Sequence, residues 1–288
     1  MRRVAAPGTA DSDLLAAAGR SCLARAGVEP DRLSRILVTK FLGDRLLPMT
    51  AAQVQKKTGC TTAIPGFDVD GGINGFLQAL DMGLHYINSG EEYVLILSGG
   101  VIRCLTGQTD PRTAFLFGDG AAAVLLEKSD RPHFMGGYFY ANPSYYDLSI
   151  AFGKLTEIKG ESFRNKDFSF AHDLYAPGNW KDIAPFYREA ACVIKDRLMQ
   201  NPGVEDRPPD WVLVTENNHQ IRQMTLEALD VSPDKSLSVI AQYGNTMSAM
   251  LPILLNKGFD ENLFRPGDNI MLISHGEGAS GGGMIYSV

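Results

Sequence analysis

The feature that most constrains the fold is a weak internal repeat, in which similar segments recur at a nearly constant spacing. The apolar run ILVT ends at Thr39 and a second run, VLVT, ends at Thr215, so the offset is 215 − 39 = 176. The runs YVLILSGG and NIMLISHG place Ser98 and Ser274 at the same offset, 274 − 98 = 176. A shared offset over separate apolar runs predicts two similar halves packed together.

The order of elements within each half indicates an α/β protein. Strand-like apolar runs alternate with helical stretches, which is the pattern of βαβ units and parallel sheets. A turn precedes an amphipathic helix in each half, at Asn74 and Asn245, which are 245 − 74 = 171 residues apart. We therefore predict an N-terminal half over residues 1–128 and a C-terminal half over residues 129–288, with an insertion at about 140–180.

The two halves differ at their beginnings. The run AAAVLLE, which ends at Glu127, is interpreted as the strand that opens the second half, whereas the first half opens directly on a helical stretch. The first strand of the N-terminal half is therefore expected to be missing, with a gap beside the strand ILVT. Another element would fill that gap or the natural chain would start before Met1, because unpaired backbone groups are costly when buried.

Composition and short motifs exclude several classes of protein. With 27 Lys and Arg against 33 Asp and Glu, the net charge of −6 argues against a nucleic-acid binder. No stretch approaches the roughly 20 apolar residues of a membrane helix, and the N-terminus lacks the apolar region of a signal peptide, so we expect a cytoplasmic location.

The four cysteines lack CxxC spacing, which argues against a zinc site. The segment GEGASG at 276–281 fits GxGxxG, but only 288 − 281 = 7 residues follow, too few for a nucleotide-binding unit.

Four motifs in a fixed order resemble those of a known family, the β-ketoacyl-acyl carrier protein synthase III branch of the thiolase-like condensing enzymes. They are DPRTAFLFGDGAAAVLLE, the pair His219–Gln220, YGNTMSAMLPILL around Asn245, and HGEGASGGG from His275. The resemblance implies a thiolase-like αβαβα five-layered fold made of two similar halves. It also implies an acyl thioester of coenzyme A or acyl carrier protein as substrate, no further cofactor and no metal. Acyl carrier protein would be a partner, and the chain would form a homodimer or a heterodimer.

One position departs from the family pattern. The family has a nucleophilic cysteine after the strand FDV and a short run of small residues, at a helix N-terminus that favours the thiolate. Here Ile73 occupies that position, and its side chain has no lone pair and cannot be acylated. Cys22, Cys60, Cys104 and Cys192 lie elsewhere and are interpreted as small, structural residues. The acyl-cysteine route is therefore expected to be lost.

The resemblance assigns the remaining chemistry to His219 and Asn245, which would hydrogen-bond a thioester carbonyl and stabilise an enolate. The backbone of Ile73, Gly276 and Gly278 would form the oxyanion site. Without the resemblance, a loop histidine is more often a surface residue, and an asparagine before an apolar helix suits capping.

Two hypotheses stay open. In the first, the chain is an acyltransferase of fatty-acid, polyketide or secondary metabolism that uses His219 and Asn245 for decarboxylation or direct acyl transfer. In the second, it is a non-catalytic subunit that pairs with a cysteine-bearing ketosynthase. The retained histidine and asparagine favour the first; the missing cysteine and the altered Ile221–Arg222 after the HQ pair favour the second. Carrier-protein docking needs a basic patch, for which the candidates are Arg2, Arg3, Arg20 and Arg25, or Lys56 and Lys57, although a solvated helical face is the more common explanation of such clusters.

Overall fold

The structure is a computed structural model that describes residues 3–41, 43–45, 47–102, 115–148, 150–151, 175–176, 180–204, 207–276 and 278–288. The helices in these ranges are α1 (Asp11–Ala26), α2 (Thr50–Thr58), α3 (Gly75–Asn88), α4 (Trp180–Leu198), α5 (His219–Ala228), α6 (Ile240–Tyr243) and α7 (Met250–Asp260). The strands are β1 (Arg35–Thr39), β2 (Gly66–Val69), β3 (Tyr93–Gly100), β4 (Gly120–Glu127), β5 (Phe134–Ala141), β6 (Ile150–Ala151), β7 (Tyr175–Ala176), β8 (Trp211–Val214), β9 (Asn269–Gly276) and β10 (Ser280–Ser287). Short 3-10 helices span Pro30–Arg32, Gly72–Asn74, Pro143–Leu148, Pro233–Lys235 and Met247–Ala249.

The helix ends follow the local chemistry of the sequence. At the start of α1, the Asp13 carboxylate accepts a hydrogen bond from the Ala10 N–H at 2.9 Å. Asp11 and Asp13 also place negative charge near the positive end of the helix dipole. The helix ends at Gly27, whose φ of 67° is the left-handed conformation that glycine adopts most readily. None of the helices within the described ranges is long and apolar enough to cross a membrane.

Two four-stranded sheets form the framework. The first has the order β2-β1-β3-β4, with β1 parallel to both β2 and β3 and with β4 antiparallel to β3. The second has the order β5-β10-β9-β8, with β8 parallel to β9 and with β10 antiparallel to both of its neighbours. The strands β6 and β7 form a separate pair. They flank part of the predicted insertion at 140–180, most of which lies outside the described residues.

The structure confirms that the two halves are alike, and the register relates them residue by residue. Ser98 of β3 lies opposite Ala122 of β4, and Ser274 of β9 lies opposite Gly282 of β10. Thus β1, β3 and β4 correspond to β8, β9 and β10. In each half a 3-10 turn leads into a central helix, and α3 and α7 begin 250 − 75 = 175 residues apart. Asn245 precedes its 3-10 turn whereas Asn74 ends its own, so those two asparagines are not equivalent.

Five layers result from the way in which apolar side chains alternate along the strands. Helices α1 and α2 cover the outer face of the first sheet, α3 and α7 lie between the sheets, and α4 and α5 cover the outer face of the second. On β9, Ile270 and Leu272 join the central apolar cluster, whereas Met271 and Ile273 join the outer one. This is the predicted αβαβα arrangement.

Two expectations about the first half are wrong. The run AAAVLLE is β4, the fourth strand of the first sheet, and the second sheet begins with β5 at Phe134. The strand ILVT is paired on both sides, by β2 and β3, so there is no gap beside it. Among the described residues, the edge strands of the first sheet are β2 and β4.

Candidate functional site

The start of α3 is packed with apolar side chains. Ile73 lies in the 3-10 turn that follows β2 and leads directly into the helix, and it is buried. The buried residues that pack with it are Ile102, Phe117, Met247 and Met250, with Phe41 and Leu116 partly buried beside them. This position therefore presents a hydrocarbon surface, with no ionisable group of its own.

The glycine-rich turn between β9 and β10 lies against this point. Asn74 Nδ2 donates to Ser280 Oγ at 2.6 Å, and Ser274 Oγ donates to the Ile73 carbonyl at 3.4 Å. A Cβ atom on Gly276 would lie only 2.5 Å from Asn74 Nδ2, so this close approach requires a glycine. Gly278 has a φ of 66° in the same turn. The structure thus brings Ile73 and Gly276 together.

Asn245 is buried and holds its own loop in place. Its Oδ1 accepts from the Met247 N–H at 2.8 Å, and its Nδ2 donates to the Asn217 carbonyl at 3.2 Å. Its backbone also binds the segment before β4: the Asn245 N–H donates to the Leu116 carbonyl, and the Asn245 carbonyl accepts from the Gly118 N–H. A side-chain amide has two donor hydrogens, so one more can reach a ligand.

His219 and Asn245 differ in their surroundings. His219 is the first residue of α5 and is exposed, whereas Asn245 is 2% exposed, and no hydrogen bond joins them in the described part of the chain. Asn218 caps α5 by accepting from the Ile221 N–H at 2.8 Å. In the same loop, the Asn217 carbonyl accepts the hydrogen bond from the Asn245 amide.

Sequence reasoning missed Glu216, which is fully buried just after β8. Its Oε2 accepts from the N–H groups of Val239 and Ile240 at 2.6 and 2.8 Å, and its Oε1 accepts from Ser238 Oγ. Arg222 Nε lies 3.3 Å from Oε1 without hydrogen-bond alignment. A carboxylate directly after the buried run VLVT was the available signal, since such a charge is rarely buried unless it is paired.

A second buried titratable group, His275, faces the outer layer of the second sheet. Thr225 Oγ1 donates to the Ile221 carbonyl and lies 3.3 Å from His275 Nε2, so Nε2 carries the proton and donates to that hydroxyl. Within the part of the chain that the structure describes, the other ring nitrogen, Nδ1, has no hydrogen-bond partner. Burial lowers the pKa of His275 to about 4, so the ring is neutral at physiological pH.

The described cysteines stand away from the start of α3. Cys22 lies on α1, Cys60 follows α2 and Cys192 lies on α4, whereas Cys104 falls outside the described residues. Burial raises the pKa of both the Cys22 and the Cys60 thiols, which disfavours the reactive thiolate. Over the described ranges, no group of three or more His, Cys, Asp or Glu side chains is arranged to hold a metal ion.

Comparison with known proteins places this geometry in a family. Residues 67–143 match the model of 3-oxoacyl-[acyl-carrier-protein (ACP)] synthase III, and residues 199–288 match the model of its C-terminal part. A β-ketoacyl-[acyl-carrier-protein] synthase III from Synechococcus elongatus is 32% identical over 290 residues, covering 99% of this chain and 84% of the relative.

Solved structures share the fold over the whole chain. The 3-oxoacyl-[acyl-carrier-protein] synthase III from Aquifex aeolicus superposes with a TM-score of 0.86 at 24% identity, covering 100% of this chain and 87% of that one. The priming β-ketosynthase of the R1128 polyketide pathway superposes with a TM-score of 0.88 at 21% identity, covering 100% of this chain and 84% of that one. These likenesses show the fold, and the sequence matches show that the chain belongs to the β-ketoacyl-[acyl-carrier-protein] synthase III family.

Proposed function

We propose that the chain is a ketoacyl synthase III-type subunit that binds acyl thioesters but forms no acyl-enzyme of its own. It would work in a heteromer with a cysteine-bearing ketosynthase, which would supply the thiol. The observation that carries this proposal is Ile73, which stands at the start of α3 inside an apolar cluster. An alkyl side chain at this position can pack, but it cannot attack a thioester.

The substrate class follows from the relatives. The synthase from Synechococcus elongatus, which matches 99% of this chain, is named for acyl carrier protein. The R1128 neighbour, which shares the fold, is a priming synthase of a polyketide pathway. An acyl thioester of acyl carrier protein or coenzyme A, in fatty-acid or polyketide metabolism, is therefore the ligand class proposed here.

The placement of the polar residues favours the subunit role over independent catalysis. An oxyanion site depends on preorganised donors that converge on one point, each worth roughly 2.7–4 kcal/mol in the transition state. His219 is exposed at the start of α5, and the Asn245 amide already binds Asn217 and Met247. The two side chains would have to converge on a bound ligand before they could act as a pair.

A second candidate is direct acyl transfer by His219 and Asn245 without an acyl-cysteine, and one observation favours it. Buried oxygen atoms near the site, Asn74 Oδ1 and Asn217 Oδ1, have no hydrogen-bond partner among the described residues. Buried polar atoms are normally satisfied. The amide groups of a coenzyme A or carrier-protein arm are donors of the kind that these oxygens accept.

Mass spectrometry with a decarboxylation assay distinguishes the two candidates. The purified chain is incubated with malonyl-coenzyme A and acetyl-coenzyme A, alone and together with a cysteine-bearing synthase III from the same organism. The subunit role predicts no covalent adduct and no release of carbon dioxide from the chain alone. It predicts an isolable complex with the second synthase, whose activity depends on that protein's cysteine. Turnover by the chain alone that disappears in H219A and in N245A would instead establish the second candidate.

The variant I73C tests whether Ile73 is the residue that prevents acylation. A thiol at the start of α3 gains the helix-terminal N–H groups and the dipole that favour a thiolate. We expect I73C to form an acetyl adduct with acetyl-coenzyme A, and the conservative variant I73V to form none. An adduct on the unmodified chain, or on I73V, would contradict the assignment of this position.

A further inference from the structure

The two 3-10 turns that lead into the central helices have the same hydrogen bonding. One spans Gly72–Asn74 before α3, and the other spans Met247–Ala249 before α7. In each turn, the N–H of the first helical residue donates to the carbonyl of the first turn residue. The turns and the helices are offset equally, since 247 − 72 = 175 and 250 − 75 = 175. Met247 therefore occupies the position that Gly72 has in the first half.

This position has a left-handed backbone in both halves, with a φ of 51° at Gly72 and of 55° at Met247. Glycine adopts this conformation readily, whereas a Cβ atom crowds the neighbouring carbonyl oxygen. The other non-glycine residues with a left-handed backbone in the described ranges are an aspartate, an asparagine and an alanine, namely Asp230, Asn262 and Ala279. Aspartate and asparagine tolerate the conformation, and alanine carries only a methyl group. Met247 is thus a long side chain at a position where the equivalent turn has glycine.

The Asn245 side chain helps to hold Met247 in this conformation. Its Oδ1 accepts from the Met247 N–H at 2.8 Å, while its Nδ2 donates to the Asn217 carbonyl at 3.2 Å. Backbone strain of this kind persists only where the surroundings over-determine the conformation, and it concentrates at functional sites. The equivalent turn forms without a side chain at this position, so the turn itself does not require the methionine.

The side chain of Met247 packs at the start of α3. It is 3% exposed and belongs to one apolar cluster with Ile73, Ile102, Phe117 and Met250. The two turns contact each other, so Met247 reaches this cluster from the second half of the chain. Because protein interiors are close-packed, the volume that this side chain fills is closed to other groups.

An acyl thioester with its carbonyl at Ile73 would bring its acyl chain to this same cluster. An acetyl group adds only a methyl group to the carbonyl, whereas each further methylene needs additional apolar volume. Glycine at position 247, as in the equivalent turn, would leave the volume of a methionine side chain free. The methionine fills that volume at the cost of a strained backbone.

We propose that Met247 determines which acyl group the site accepts, by occupying the space that an acyl chain longer than acetyl would need. The inference rests on the proposed function, since it takes an acyl thioester at Ile73 as the ligand. The cluster around Ile73 consists of apolar side chains, so the exclusion is steric. Met247 is a specificity-determining residue and takes no part in a chemical step.

Calorimetry on the whole chain tests the proposal with coenzyme A and with its acetyl, butyryl and hexanoyl thioesters. For the original chain we expect coenzyme A and acetyl-coenzyme A to bind with similar affinity, and hexanoyl-coenzyme A to bind about tenfold more weakly. M247G and M247A should reverse this order, because each methylene that enters the freed volume tightens binding about fourfold. M247L keeps a side chain of similar volume and should retain the original order.

The matched control is M271A, which removes a buried methionine from the outer cluster of the second half. It should lower the stability of the chain without changing the order of affinities. Urea unfolding tests the backbone strain separately. Alanine is more stable than glycine at an ordinary helical position, but at a φ of 55° M247G should unfold at a higher urea concentration than M247A. An equal or lower midpoint for M247G would contradict the strain from which the proposal is argued.

The binding results separate this inference from the proposed function. If the original chain binds acetyl-coenzyme A and both M247G and M247A keep its order of affinities, Met247 does not select the acyl group, and the proposed ligand class stands. A reversed order in M271A would also overturn the role of Met247, because lost stability alone would then explain the change. If neither the original chain nor any variant binds these compounds, the ligand class is wrong and the inference fails with it.

Discussion

The buried imidazole of His275 makes the stability of this protein depend on pH in a defined window. The ring is neutral in the folded chain because burial disfavours its charged form. Among the described residues it contacts the Thr225 hydroxyl and the Tyr187 ring at 5.1 Å, and its backbone binds the Thr215 hydroxyl and the Asn217 amide. Protonation would therefore place an unpaired charge inside the second half.

The magnitude follows from the two pKa values. The ordinary value of 6.5 applies to the unfolded chain, and burial lowers the folded value to about 4, a difference of 6.5 − 4 = 2.5. At about 1.4 kcal/mol for each unit of pKa difference, the free energy of unfolding is about 3 kcal/mol higher when His275 is neutral in both states than when it is protonated in both. Between these pH values the unfolded chain binds the proton and the folded chain does not. The contribution is complete above pH 6.5, declines as the pH falls, and is lost at about pH 4.

Urea unfolding at a series of pH values from about 7.5 to 4.5 measures this effect. The variant H275Q retains a donor for Thr225 but does not titrate, so its free energy of unfolding should fall less steeply than that of the original chain. The matched control is H219Q, the same substitution at an exposed position. All three proteins share the same carboxylates, so the difference in slope isolates His275. Equal slopes for the original chain and H275Q would refute the reasoning.

Two further predictions concern packing and buried charge. The variant E216Q should lower the free energy of unfolding by about 3–5 kcal/mol, because it leaves the Arg222 guanidinium without its buried partner; urea unfolding measures the loss, and E216Q/R222M should recover part of it. A Cβ atom on Gly258 would lie 2.0 Å from the Phe264 ring, so G258A should cost about 1–3 kcal/mol. Recovery of thermal stability in G258A/F264L would support that explanation, and an unchanged melting temperature in G258A would contradict it.

The sequence predicted the architecture well because the repeat reflects the geometry of the sheets. Thr39 and Ser98 come from neighbouring parallel strands and share a hydrogen bond at 2.8 Å, and Thr215 and Ser274 occupy the corresponding positions. Hydroxyl side chains at the ends of the parallel strands recur in both halves. Equal offsets between them in the sequence therefore indicate equivalent strands. The position of Ile73 was assigned through the family resemblance, and the structure has it in the 3-10 turn that leads into α3.

The rest depended on contacts that a sequence does not display. The strand β4 was assigned to the wrong sheet because its apolar run carries no sign of which neighbour it pairs with. His219 was assigned to the site through the resemblance of its His219–Gln220 pair; the sequence did not show that Asn218 caps α5 and that His219 is exposed as its first residue. Glu216 was overlooked because its partners, Val239 and Ile240, are remote in sequence.

The shared central layer has a consequence for how the chain is synthesised and folded. Leu37, Phe76 and Leu77 of the first half belong to the same apolar cluster as Leu213 and Leu272 of the second. The central helices also cross over, since α3 contacts β10 and α7 contacts β4. While the ribosome is still adding the second half, the first carries an exposed apolar face that nothing else covers. Such a nascent segment is prone to aggregate, so the two halves form one cooperative folding unit that cannot be divided at the boundary between the sheets.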